Sequence, residues 1–345
     1  MARFRVGITR DVLNADGEPS FGTAPLALLD RPHVEWEYFP DSITEVASTH
    51  LARYDALYIN APLVTQSSFA QGNGRTRIIA RHGVGYDSVD VAACTENGVI
   101  VTVQPDGVRR PVAVAAITYV LALSQKLRVK DRLTRAGRWA EKTNHMGTGL
   151  LGRTLGIIGA GNIGREIMRL APVFGLHVLA SDPFVDPAVI SAEGGRPVDL
   201  DTLLRESDFV VVMCLLNEQT RGLIGARELG LIRRSAYLIS IARGPIVDEA
   251  ALISALREER IAGAGIDVFE TEPVDPHNPL LTMDNTIVTP HALCWTDQCF
   301  AGLAESGLGG IVAALRGERP GGVVNPQVFD DPRLTAWLEA NAAAN

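Results

Sequence analysis

The sequence predicts an α/β protein built from two domains. The chain has 345 residues, which corresponds to roughly two domains at about 150 residues each. Short apolar runs alternate with helix-period patterns along nearly the whole chain, as in α/β folds. The alternation changes once, near Pro111, where a long apolar helix is followed by a second series of short runs. These three observations together define the fold class.

The first series comprises strands, each followed by turn residues or by a plausible helix. They are predicted at residues 4–9, 34–39, 56–59, 77–80 and 99–103. A largely apolar helix is predicted after Pro111, over residues 112–127. It falls short of the roughly 18 apolar residues that a membrane span needs, so we interpret it as a buried helix.

The second series follows at the spacing of strand–helix units. Its strands are predicted at residues 155–159, 178–181, 209–213, 236–241, 264–267 and 286–289. A helix over residues 296–316 could then return the chain to the first domain. The sequence therefore predicts one domain from residues 1–110 and 296–345, completed by both chain termini, and a second domain from residues 111–295.

Composition limits the possible functions. The chain is 46% hydrophobic and 21% charged, with 32 Lys and Arg against 40 Asp and Glu, a net charge of −8. This balance argues against a nucleic-acid partner, which usually meets a basic surface. We expect no signal peptide, no membrane segment and no metal site. The cysteines lack CxxC spacing, and we interpret them as free thiols of a cytoplasmic protein.

A glycine motif lies between a predicted strand and a predicted helix. Gly159, Gly161 and Gly164 form G-x-G-x-x-G directly after the apolar run at residues 154–158. The first glycine permits a tight turn, the second lets the backbone approach a pyrophosphate, and the third lets helix and strand pack closely. The motif in this context predicts a dinucleotide-binding turn.

Two further features support that prediction. The amides of Asn162 and Ile163 would open the helix and face the phosphates. Asp182 follows the next predicted strand, where a carboxylate accepts hydrogen bonds from ribose hydroxyls and repels a 2′-phosphate, which favours NAD over NADP. The alternative is an unrelated α/β protein in which Asp182 caps a helix. It is disfavoured because strand, glycines, helix and acid are all in register.

Three later stretches place polar side chains just past predicted strands, at the sheet edge where ligands bind. Arg243 is a planar, permanently charged group suited to a carboxylate. His291 can give a proton to a forming alkoxide and take it back in the reverse direction. Glu272 can fix the tautomer of that histidine and stabilise its charged form. These residue types fit the reduction of a keto acid.

The motifs resemble those of the D-isomer-specific 2-hydroxyacid dehydrogenase family, which includes phosphoglycerate dehydrogenases and glyoxylate or hydroxypyruvate reductases. The resemblance rests on RHGVGYD at residues 81–87, the glycine motif, ARGPIVDEAAL at 242–252 and GAGIDVFETEP at 263–273. It implies a Rossmann dinucleotide-binding domain beside a flavodoxin-like substrate domain. It also implies an NAD-dependent oxidoreductase acting on CH–OH groups, with a small 2-keto or 2-hydroxy acid as substrate and a homodimer as assembly.

The resemblance also implies roles for individual residues. Arg243 would bind the substrate carboxylate and keto oxygen, and Glu272 with His291 would form the acid–base pair. The backbone of Val84 and Gly85 would hold the carboxylate as well. The further cofactor contacts are assigned to Ile241, Ala242 and Asp267, the last of these at the nicotinamide amide.

Several alternatives stay open at this point. An NAD-sensing corepressor would keep the dinucleotide site with little turnover. Formate dehydrogenases carry Gln where this chain has Glu272, which argues against formate. The chain departs from the family at residues 112–115 and 214–217. Arg109 and Arg110 could bind a second anionic group of the substrate, or pair with surface acids such as Asp106.

Overall fold

The computed structural model describes residues 3–343, which fold into two compact units. One unit comprises the chain up to Val108 and from Trp295 onwards, and the other runs from Arg109 to Cys294. Each contains its own parallel sheet with helices between successive strands. The α/β class predicted from the sequence is confirmed.

The strands, in chain order, are β1 (Phe4–Ile8), β2 (Val34–Tyr38), β3 (Ala56–Ile59), β4 (Ile78–Arg81), β5 (Ile100–Thr102), β6 (Thr154–Ile158), β7 (His177–Ser181), β8 (Arg196–Pro197), β9 (Phe209–Val212), β10 (Tyr237–Ser240), β11 (Gly263–Ile266) and β12 (Thr286–Val288). The helices are α1 (Ser48–Arg53), α2 (Val91–Glu96), α3 (Pro105–Ser124), α4 (Leu127–Arg135), α5 (Asn162–Leu170), α6 (Pro187–Ala192), α7 (Leu200–Glu206), α8 (Ala226–Leu231), α9 (Glu249–Arg257), α10 (Asp297–Leu315) and α11 (Pro332–Ala342). Short 3-10 helices lie at Arg10–Val12, Ala24–Leu29, Gln66–Phe69, Trp139–Asn144, Ala171–Phe174, Gly244–Ile246, Pro279–Leu281 and Pro326–Asp330.

The sheet of the first unit has the strand order β2-β1-β3-β4-β5, and every pair in it is parallel. This is the flavodoxin-like order. The central strand β3 is buried along its whole length, which explains why it reads as a continuous apolar run rather than an alternating one.

The C-terminal part of the chain completes the first unit. Helix α10 packs against β3 and β4, and its first turn is capped by Thr296, whose hydroxyl oxygen accepts from the Cys299 N–H at 3.1 Å. Asn325 is almost fully buried; its side chain accepts from the Val101 N–H and donates to the Val99 carbonyl, both at 2.9 Å. One amide side chain therefore satisfies two backbone groups beside the edge strand β5.

The sheet of the second unit has the order β12-β11-β10-β9-β6-β7-β8, again parallel throughout. Counted from β6, this is the Rossmann order 3-2-1-4-5-6 with one strand added. The order reverses between β6 and β9, and such switch points are where ligands bind in open α/β sheets.

Two details differ from the sequence-based expectation. The helix predicted to begin at residue 112 begins at Pro105, so Pro111 lies inside α3 rather than before it. A proline there removes one backbone hydrogen bond but does not end the helix, which packs against the sheet through Tyr119 and Gly265. The two-residue strand β8 is missed because its sequence, Arg-Pro, carries no strand signal.

Two helices in the described part of the chain, α3 and α10, pass a length-and-composition test for membrane spans. Their most apolar 18-residue windows have mean hydropathies of 1.2 and 1.3, and 56% and 50% of those windows are buried inside the protein. Core helices pass the same test, so this is weak support for a span.

Candidate active site

The glycine turn follows β6 and opens α5. Gly159 has φ +101°, and a Cβ there would lie 2.6 Å from the Cys214 backbone nitrogen. A Cβ on Gly164 would lie 2.1 Å from the Gly159 carbonyl oxygen, so helix and strand can pack this closely only with glycine. A Cβ on Gly161 would meet no atom within 4 Å, which leaves the helix entrance open to a ligand.

Asp182 lies at the end of β7, beside that turn. One carboxylate oxygen accepts from the Ala160 N–H at 2.8 Å, and the other accepts from the Phe184 N–H at 2.9 Å. The residue does not cap a helix. Its carboxylate is instead held at the carboxyl edge of the sheet, against the backbone of the glycine turn.

His291 and Glu272 form a hydrogen-bonded pair. The His291 Nδ1 lies 2.8 Å from one Glu272 carboxylate oxygen, and the other oxygen accepts from the Phe269 N–H at 2.9 Å. The pKa of the Glu272 carboxyl lies below its usual value. Burial alone would raise this pKa, but the hydrogen bonds from His291 and Phe269 and the charges of His291 and Arg243 lower it by more. The carboxylate is therefore ionised and oriented toward the imidazole.

Arg243 follows β10, and its Nη1 donates to the Ala242 carbonyl oxygen at 2.8 Å. The next residue, Gly244, lets the loop come this close to the segment before Glu272. Any other residue would place a Cβ 1.8 Å from the Phe269 carbonyl oxygen, which is a clash. The arginine loop therefore packs directly on the segment that orients the Glu272 carboxylate. Ile241, between β10 and this loop, is buried.

Asp267 is a buried carboxylate at the end of β11. Its Oδ1 accepts from the Thr289 hydroxyl and from the N–H groups of Ala292 and Leu293, at 3.0 and 3.2 Å. Its backbone carbonyl accepts from the His291 N–H at 2.7 Å. Asp267 therefore fixes the loop that carries the histidine, a role that the sequence pattern did not indicate.

His291 itself has a left-handed backbone, with φ +54°. Non-glycine residues rarely adopt this conformation, and such outliers cluster at functional sites. The hydrogen bonds that Asp267 accepts from residues on both sides of His291 hold it there. Arg243, Glu272, Asp267 and His291 thus come together at the ends of β10, β11 and β12, all within the second unit.

The predicted carboxylate loop lies in the first unit, after β4. Gln104 clamps its first residue, because its side chain accepts from the Gly83 N–H and its backbone N–H donates to the Gly83 carbonyl, both at 2.9 Å. The N–H groups of Val84 and Gly85 donate to no acceptor among residues 3–343. The loop therefore presents two available backbone donors. The sequence did not predict this role of Gln104, because a single glutamine after a strand matches no known motif.

His82, immediately before the loop, is buried among aromatic side chains. Its Nδ1 is hydrogen-bonded to the Tyr58 hydroxyl, and its ring packs on Phe21 and Phe300. Burial, with the nearby charge of Arg81, lowers the pKa of His82 to about 3. This histidine is neutral at physiological pH and serves the packing of the first unit.

Arg109 and Arg110, the candidates for a second anionic group of the substrate, both have partners in the structure. Arg110 donates to a Glu166 carboxylate oxygen at 2.6 Å. This agrees with the alternative in which the arginine pairs with an acid, although the acid is Glu166 rather than Asp106. Arg81 donates to the His82 carbonyl oxygen at 2.6 Å. Within residues 3–343, no group of three or more His, Cys, Asp or Glu could hold a metal ion.

Known proteins resemble this chain over most of its length. Residues 117–292 match the family described as D-isomer specific 2-hydroxyacid dehydrogenase, NAD binding domain. A glyoxylate reductase of Thermococcus onnurineus is 35% identical over 87% of this chain and 92% of its own length. A D-3-phosphoglycerate dehydrogenase of Archaeoglobus fulgidus is 36% identical over 76% of this chain and 48% of its own.

Solved structures agree as well. The crystal structure of a glyoxylate reductase from Paecilomyes thermophila has a TM-score of 0.81, 27% identity, and coverage of 95% of this chain and 100% of the other. That of D-lactate dehydrogenase from Aquifex aeolicus, complexed with NAD and lactic acid, has a TM-score of 0.79, 25% identity, and coverage of 93% and 99%. The chain therefore belongs to the D-isomer specific 2-hydroxyacid dehydrogenase family and is an NAD-dependent oxidoreductase acting on CH–OH groups.

Proposed function

We propose that this dehydrogenase works through Arg243, Glu272 and His291. The observation that carries the proposal is the 2.8 Å hydrogen bond between His291 Nδ1 and an ionised Glu272, with the charge of Arg243 acting on the same carboxylate. An imidazole held in this way can release a proton to a substrate oxygen and recover it in the reverse direction.

When bound, NADH would supply the hydride that reduces the carbonyl carbon of the 2-keto acid. The Nδ1 of His291 is hydrogen-bonded to Glu272. The other ring nitrogen, Nε2, is therefore the one that donates the proton to the forming alkoxide. Arg243 orients the substrate through its carboxylate and keto oxygen and stabilises the charge that develops on that oxygen. Oxidation of the 2-hydroxy acid follows the same path backwards.

The residues of the second unit fit a bound NAD. Gly161 leaves room for a diphosphate, while Gly159 and Gly164 allow the tight turn and the close packing of helix on strand. The first-turn amides of Asn162 and Ile163 have no partner inside their helix. Asp182 would accept from the adenosine ribose hydroxyls and disfavour a 2′-phosphate, hence NAD over NADP. The remaining contacts would come from Ile241, Ala242 and Asp267.

The first unit would bind the substrate. Val84 and Gly85 each have a backbone N–H available for a carboxylate. We accordingly assign residues 1–110 and 296–345 as the substrate domain and residues 111–295 as the NAD-binding domain. Glyoxylate is the first 2-keto acid to test, because several relatives are named glyoxylate reductases. A doubly anionic substrate has less support than the sequence suggested, since Arg110 is paired with Glu166.

We propose that the protein is a homodimer and that it is located in the cytoplasm. The four cysteines form no disulfide, as in a reducing compartment. Large apolar side chains of the second unit are exposed: Leu127, Trp139, Met146, Leu151 and Val173. The alternative of an NAD-sensing corepressor is not favoured, because the relatives described above are named as reductases and dehydrogenases.

The proposal is tested with 2-keto acids and NADH, followed by the loss of NADH absorbance. His291→Ala should lower kcat by about 10²–10⁴-fold, the usual contribution of proton transfer. Glu272→Gln should also lower kcat, because the carboxylate that orients the His291 imidazole is gone. The control is His277→Ala, at an exposed histidine. Wild-type turnover in His291→Ala, or in Glu272→Gln, would contradict the assignment.

A further inference from the structure

We propose that Arg165, on the first turn of α5, is the cation that binds the diphosphate of NAD. The inference rests on the proposed position of the dinucleotide at the glycine turn, and it adds a specific charged contact to that position. It concerns the affinity for NAD rather than the chemical step.

The geometry places the guanidinium at the helix entrance. Arg165 is the fourth residue of the nine-residue helix α5, and helical side chains lean toward the N-terminus of their helix. Its Nη2 donates to the Asn162 side-chain oxygen at 2.9 Å, and its Nε lies 3.4 Å from the Gly161 carbonyl oxygen. The side chain therefore folds back over the first turn instead of extending into solvent.

Arg165 has no carboxylate partner in the described part of the chain, and both of its hydrogen-bond acceptors are neutral oxygens. The neighbouring acid is already used: Glu166 pairs with Arg110 at 2.6 Å and with Arg169 at 3.1 Å. Arg169 pairs in addition with Glu193. Of the two arginines on α5, one is neutralised by the protein and the other is not.

A cation at the N-terminus of a helix is unfavourable, because that end already carries partial positive charge. The arrangement becomes favourable when an anion binds there. Gly161 leaves the space beside the turn open, and a guanidinium offers the planar pair of donors that suits phosphate oxygens. The charge of Arg165 is not neutralised, its side chain folds over the first turn of α5, and the space there is open. These three observations point to the diphosphate as the group that Arg165 contacts.

The test measures binding without substrate. NADH is titrated into the full-length protein by fluorescence at several NaCl concentrations, and ADP-ribose and adenosine are titrated by calorimetry. Arg165→Gln should raise the Kd of NADH and of ADP-ribose about tenfold, the size expected for one lost charge-assisted hydrogen bond. Arg165→Lys should recover part of the affinity. In Arg165→Gln the Kd of NADH should also depend less on salt concentration than in wild type. The Kd of this variant for adenosine, which has no phosphate, should be unchanged.

Arg169→Gln is the matched control, one turn further along the same helix. It should leave the Kd of NADH within about twofold of wild type, because its charge is paired with Glu166 and Glu193. The proposal is overturned if Arg165→Gln binds NADH and ADP-ribose as wild type does, or if it loses adenosine affinity to the same extent. Retained NADH binding in Arg165→Gln, with turnover lost in His291→Ala, would refute the role of Arg165 and leave the proposed function intact. Wild-type protein that fails to bind NADH would refute both.

Discussion

His82 is a buried histidine that the catalytic scheme does not use, and its consequence is for stability. The unfolded histidine titrates near its ordinary pKa of about 6.5, whereas burial and Arg81 lower the pKa of the folded residue to about 3. Between these two values the unfolded chain binds a proton that the folded chain does not. This contribution to stability is therefore present above about pH 6.5 and is lost as the pH falls toward 3.

We predict that His82→Phe will weaken the loss of stability on acidification. The free energy of unfolding, measured in urea at pH 7, 6 and 5, should fall less per pH unit in this variant than in wild type. The difference should be at most about 1.4 kcal/mol per unit. The same measurement on His277→Ala, at an exposed residue, should follow wild type. Parallel curves for His82→Phe and wild type would show that the buried histidine is not the linked group.

At the same scale, the residues proposed for catalysis could be picked out from the sequence, while the residues that hold them in place could not. Arg243, Glu272 and His291 stand out in the sequence because their chemistry and their position after strands agree. Asp267 was expected to contact the cofactor, but in the structure its carboxylate also holds the His291 loop through three hydrogen bonds. These supporting hydrogen bonds join residues that are far apart in the chain, so no local sequence pattern reveals them.

At the scale of elements, prediction succeeded where the apolar runs were continuous. The buried parallel strands were placed within a few residues, because their apolar runs are uninterrupted on both faces. The start of α3 was wrong by seven residues because proline was taken as a boundary, although packing of Tyr119 against Gly265 holds the helix through it. The strand β8 was missed because its two residues pair with β7 through backbone alone.

Asn325 provides a test of how the C-terminal segment holds the first sheet. Replacing it with alanine would leave the buried Val101 N–H and Val99 carbonyl without partners. Each such group costs about 1–3 kcal/mol, so Asn325→Ala should lower the free energy of unfolding by about 2–6 kcal/mol. The exposed neighbour Gln327 provides the control. Thermal unfolding of Asn325→Ala at the same temperature as Gln327→Ala would contradict this account.

For the whole molecule, the proposed dimer needs a surface that joins two copies. The apolar helix predicted over residues 112–127 is one candidate. In the structure, most apolar side chains of α3 are buried in the chain itself, and Val114 is the largely exposed exception, at 47%. The apolar side chains that remain exposed lie further on, with Trp139 at 66% and Met146 at 77%. Large exposed apolar side chains such as these are candidates for an interaction surface.

We therefore predict that wild type sediments as a dimer at micromolar concentration and that Trp139→Glu with Met146→Glu converts it to a monomer. A charge buried without a partner in an interface opposes association strongly. Leu63→Glu in the first unit, at a side chain that is 46% exposed, is the control and should remain dimeric. Thermal unfolding should confirm that the double variant is folded, since both positions are exposed in one chain. A monomer-sized wild type would refute the dimer, whereas a dimeric double variant would move the interface to another surface of the second unit.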